Sequence, residues 1–75
     1  MTAAEVQKRY SGTIEAAIAR AKTSRDLRTV KAADGAECYA YPHKQGIAWG
    51  VNAAWTGVNL VRGIRRPDGR DEAVS

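Results

Sequence analysis

The 75-residue chain has one cysteine, two prolines, no phenylalanine and few large apolar side chains of any kind. A single cysteine, Cys38, cannot close an internal disulfide, so a stapled miniprotein is excluded and a reducing, cytoplasmic setting is expected. One cysteine and one histidine, His43, fall short of the three or four ligands of a structural zinc site. The glycines at 46, 50, 57 and 63 form neither a Gly-x-Gly pair nor a loop followed by the phosphate-binding lysine, so no cofactor is expected. Residues 45–61 carry no charge, but they include Asn52, Thr56 and Asn59 and fall short of the ~20 apolar residues a bilayer requires. The start of the chain, Met1 to Glu5, lacks the apolar stretch of a signal peptide.

What remains is a small basic chain with a net charge of +4 and 44% hydrophobic residues. Fourteen of those hydrophobic residues are alanines, which leaves nineteen larger side chains to offset the chain entropy. A core that thin suits one domain, read here as residues 1–66, with 67–75 as a flexible polar tail. Pro67-Asp68-Gly69 reads as a turn, and Arg70 to Ser75 offers little to bury.

Residues 2–22 read as an amphipathic helix. Thr2 and Glu5 have the spacing of a capping box, and Val6, Tyr10, Ile14, Ala17, Ile18 and Ala21 recur on one stripe. Ser11-Gly12 is its weak point, where a kink or a split into two helices is expected, since glycine costs about 1 kcal/mol against alanine in a helix. Leu27 to Tyr41 reads as a β-hairpin around Asp34-Gly35, a pair that suits a type I′ turn, with Pro42 ending the second strand. Alternation then sets Tyr39 and Tyr41 on one face and Cys38 and Ala40 on the other. Residues 46–64 fit strands around a turn at Ala54-Trp55-Thr56-Gly57, and also fit a helical stripe. Interior glycines would cost a helix about 2–3 kcal/mol, so strands are preferred. The expected fold is α+β, one N-terminal helix on an antiparallel sheet of three to four strands, with α-β-β-α as the alternative.

No catalytic constellation is legible. Cys38 and His43, five apart, could form a nucleophile–base pair, but no third group orients them and a small core cysteine beside a loop histidine accounts for both. No enzyme is expected. Charge says more. Residues 1–31 carry a net +4, concentrated in Arg20, Lys22, Arg25, Arg28 and Lys31, and Arg62, Arg65 and Arg66 close the last apolar segment. Arg20 and Lys22 suit a helix C-terminus. Should the last segment return beside the hairpin, the two clusters would merge into one patch for phosphate or for an acidic protein groove. Tyr39, Tyr41 and Trp49 are expected to cover the sheet beneath the helix, and Trp55 sits at a turn tip as an interface anchor or a tucked core residue.

These features point to a small non-enzymatic protein that occupies the surface of a host protein or nucleoprotein complex. An inhibitor of a host defence system, of the anti-CRISPR kind carried by phages and prophages, is one such protein. The expected contact residues are Arg25, Arg28, Lys31, Trp55, Arg62, Arg65 and Arg66. The alternative is nucleic-acid binding through the basic clusters at 20–31 and 62–66, with affinity falling steeply in salt. A homodimer through edge strands is compatible with either.

Overall fold

A computed structural model of the chain describes residues 2–54 and 56–74. Two helices, α1 (Ala3–Arg9) and α2 (Ser11–Ala21), precede five strands: β1 (Arg28–Lys31), β2 (Glu37–His43), β3 (Gly46–Asn52), β4 (Asn59–Arg65) and β5 (Asp71–Ala73). The strands form one antiparallel sheet in the order β1-β2-β3-β4-β5, with both helices packed on one face. The fold is α+β, with a split helix and one strand more than the sequence suggested. Gly46–Asn52 and the segment from Asn59 onward are strands, so the helical alternative for this stretch does not hold.

The helical region opens on Thr2, whose hydroxyl accepts from the Glu5 N–H at 3.2 Å and donates to the Glu5 carboxylate. It breaks at Tyr10, one residue ahead of the Ser11-Gly12 weak point. Tyr10 has φ −106° and ψ 16°; its N–H bonds to Val6 O, and its carbonyl accepts from Ile14 N–H to start α2. The break aims the Tyr10 hydroxyl at the β1–β2 loop, where it donates to Asp34 Oδ2 at 2.6 Å.

That loop is not the expected type I′ turn. Asp34 does not have positive φ; only Gly35 does, at 90°. Gly35 N–H bonds to Ala32 O and Ala32 N–H to Ala36 O, the pattern of a type I turn followed by a glycine bulge. Asp34 Oδ1 caps it by accepting from Ala36 N–H at 3.0 Å, which explains an aspartate before the glycine. The same device recurs at Pro67-Asp68-Gly69: Gly69 has φ 91°, Gly69 N–H bonds to Arg66 O, and Arg66 N–H bonds to Arg70 O. It turns the expected tail back, so Asp71–Ala73 pairs with Gly63–Arg65 as β5. These residues have little to bury, and it is the turn before them that supplies the backbone partners to make them a strand.

Pro42 does not end β2, which runs on to His43, with Pro42 opposite Ile47. A two-residue loop, Lys44-Gln45, then leads into β3, and Gln45 N–H donates to His43 Nδ1 at 3.1 Å.

Register sets the two faces. Cys38, Ala40, Trp49, Val51 and Val61 turn toward the helices and join Val6, Tyr10, Ile14, Ala17, Ile18 and Ala21 in one buried cluster. Trp49, 2% exposed, lies over Gly63 on the neighbouring strand, where a Cβ would come within 2.5 Å of the indole. The small residues Cys38, Ala40, Ala17 and Ala21, all at most 1% exposed, let α2 sit close on β2.

Two glycine substitutions test this packing with opposite signs. Gly12→Ala meets nothing within 4 Å and has no positive φ to strain, so it should stabilise by about 0.5–1 kcal/mol, a rise of several degrees in Tm. Gly63→Ala drives a methyl into Trp49 and should cost about 1–3 kcal/mol in urea unfolding.

Candidate interaction surface

The face without helices carries Thr29 and Lys31 on β1, Glu37, Tyr39, Tyr41 and His43 on β2, and Ala48, Gly50 and Asn52 on β3. It continues with Arg62 and Ile64 on β4 and Glu72 on β5. A solvated antiparallel face ordinarily alternates to polar side chains. Here the middle of the face is apolar and aromatic. Tyr41 is 38% exposed, and Leu27 and Val74, at the two margins, are 53% and 40% exposed.

The central strand offers this face only a methyl group and hydrogens at Ala48 and Gly50, so a trough of about 110 Å³ opens between β2 and β4. Tyr39, Tyr41 and His43 form one wall; Arg62, Ile64 and Val74 form the other. The Tyr39 ring lies across Gly50, where any Cβ would overlap it, and its hydroxyl accepts from Asn59 Nδ2 at 2.7 Å. The Tyr39 and Tyr41 rings are nearly parallel, 6° between planes with centroids 6.4 Å apart.

The expectation that all three aromatics lie under the helices therefore holds for Trp49 and fails for the tyrosines. The signal was present in the residue sizes. Cys38 and Ala40 alternate with the tyrosines and are small enough to sit beneath a closely packed helix, which sends Tyr39 and Tyr41 outward.

The basic residues separate into distinct environments. The Arg62 side chain is exposed on the tyrosine face and has no hydrogen-bond or ion-pair partner among the described residues. Arg66 is 3.3 Å from Glu72. Arg65 points to the helix side, where its guanidinium grips Glu15 of α2 through two bonds of 2.7 Å and Asp71 of β5 through bonds of 2.5 and 3.1 Å. Gln7 of α1 donates to the same Asp71 carboxylate at 3.1 Å. Arg65 is thus a clamp tying both helices to the last hairpin, and its donors are engaged inside the fold rather than offered to a partner.

Arg25 and Lys31 are exposed without a partner among the described residues, and Arg28 Nε donates to Ser24 Oγ at 2.9 Å. The clusters do not merge: β1 and β4 are separated by β2 and β3, about 14 Å at the usual strand spacing. The last segment returns beside β3, not beside β1. Trp55, expected as an anchor, lies outside the described residues.

Cys38 and His43 face opposite sides of the sheet from opposite parities of β2, so they cannot act as a nucleophile–base pair. Burial pushes the Cys38 thiol up to about 11. Among the described residues, no helix is long and apolar enough to cross a membrane. Compared with protein-family models, with curated proteins and with solved structures, the chain matches none.

Two carboxyls carry the acid response. Glu15 is held below its ordinary value of 4.5 chiefly by hydrogen bonds from Arg65, and Asp34 below 3.8 chiefly by the Tyr10 hydroxyl. The folded chain binds protons more weakly than the unfolded chain at both groups. Their contribution to stability is complete above those ordinary values and is lost as pH falls through the lowered ones. Tyr10 and Cys38 are raised, from 10.0 and 9.0, so their contribution is complete below those values and is lost as pH rises through the raised ones. Urea midpoints should therefore plateau from about pH 5 to 9 and fall on both sides. Glu15→Gln should shallow the acid limb and cost about 0.5–1 kcal/mol at pH 7, the range of a half-exposed pair.

Proposed function

We propose that the chain is a small binding protein that acts by laying the helix-free face of its sheet on another protein and covering it. The observation that carries this reading is the composition of that face, apolar and aromatic at positions where a solvated sheet is polar. Tyrosine and arginine are the residues that most often anchor protein interfaces, and here Tyr41 and Arg62 stand on opposite walls of one trough. Lys31, Glu37, Arg66 and Glu72 surround the apolar middle with charges of both signs, the pattern of a polar rim. Five strands at the usual spacing give a footprint of roughly 500 Å² per side, toward the small end of specific interfaces.

A partner that fits has an apolar centre to receive Tyr41 and Leu27, with a carboxylate placed for Arg62. The action is occlusion, since nothing else can use a surface so covered. An inhibitor of a host nucleoprotein complex would work in this way. Direct binding to a nucleic-acid backbone is the weaker reading, because Glu37 and Glu72 share the face and Glu72 already neutralises Arg66.

A photo-crosslinking residue at Tyr41 should give a discrete protein adduct in the cell of origin, and the same probe at Ala19, exposed on the outer side of α2, should give none. Tyr41→Ala and Arg62→Glu should each weaken the recovered complex about tenfold or more while leaving the melting curve in place. Equal adducts at both probe positions would overturn the reading. So would tight, steeply salt-dependent binding to labelled single-stranded DNA or RNA.

A further inference from the structure

We propose that the outer edge of β1 accepts an extended, acidic segment of another protein as a sixth strand. The sheet order leaves β1 and β5 as its two edges. The hydrogen bond from Ala32 N–H to Ala36 O fixes the phase of the β1–β2 ladder. In antiparallel pairs the bonded positions alternate, so Val30 and Arg28 direct their backbone groups into β2. Thr29 and Lys31 then direct theirs outward, where the described chain supplies no strand. Two N–H groups and two carbonyls at ladder spacing form a short template for strand addition.

Charge selects the occupant. Residues 20–31 carry Arg20, Lys22, Arg25, Arg28 and Lys31 against the single acid Asp26. Glu37 stands opposite Lys31 on β2 but is not within ion-pair distance of it. Antiparallel pairing of β1 with β1 of a second copy would bring two such basic segments side by side, and their mutual repulsion opposes self-association at this edge. Pairing with β5 of a second copy offers little better. That strand has three residues, Asp71 is held by Arg65 and Gln7, and Glu72 faces Arg66. An acidic strand from another protein meets neither obstacle. The site is the edge of the sheet rather than its face, so it stands whether or not the tyrosine face binds anything.

The test uses the full chain, isotope-labelled for NMR, with a seven-residue peptide that alternates Glu with Val as the probe. The expected result is shifted and exchange-protected amides at Thr29 and Lys31, with affinity falling at least tenfold between 50 and 300 mM salt. The Lys-for-Glu counterpart should not bind. Thr29→Pro removes an outward donor and leaves the β1–β2 ladder bonds in place, so it should weaken the peptide at least tenfold with the rest of the spectrum retained. Arg28→Glu with Lys31→Glu keeps the backbone and should exchange the preference to the Lys peptide. Shifts centred on Tyr41 and Arg62, or on β5, would overturn the proposal. Unchanged preference in the charge-reversed variant would do the same, as would self-association through β1 seen by sedimentation.

Discussion

Trp49 lying over Gly63 is the contact on which the two faces of the sheet depend. The indole is the largest fully buried side chain of a core otherwise made of alanine, valine, isoleucine, one cysteine and Tyr10. It fits only because the residue opposite on β4 has no Cβ. With Trp49 turned to the helices, Ala48 and Gly50 must turn away from them, and the register carries Tyr39, Tyr41, Arg62 and Ile64 with them. A slip of one residue would invert every one of these assignments. Trp49 Nε1 is a buried donor without a partner among the described residues, so packing rather than polar pairing holds the ring there.

Strand parity also decides what each arginine of β4 can do. Arg62 and Arg65 are three apart and so emerge on opposite faces. Arg65 comes out beside α2, within reach of Glu15 and Asp71, and becomes the clamp between helices and hairpin. Arg62 comes out among the tyrosines with no ion-pair partner among the described residues. The same side chain in one strand thus serves cohesion in one case and leaves an open charge in the other.

Much of the fold was legible. Helical spacing from Val6 to Ala21, the Asp-Gly loop and the glycines of 46–64 led to an N-terminal helical region over antiparallel strands, because these are local preferences written in short stretches. The loop geometry was less accessible. Asp34 serves the turn by capping Ala36 N–H instead of adopting positive φ, and the same geometry at Pro67-Asp68-Gly69 recruits three further residues into the sheet. A polar segment can become a strand when the hairpin before it supplies the backbone partners.

The sequence by itself determined where the turns fall, which residues alternate, and that the chain is basic with a thin core. Tertiary structure alone decided which of two alternating sets the helices cover, which arginines meet a carboxylate, and how far apart the basic clusters stand. Periodicity fixes side chains relative to their neighbours in the chain, whereas burial and ion pairing depend on which distant segment arrives opposite them. The tyrosine face and the β1 edge belong to that second kind: each is defined by the element that does not cover it.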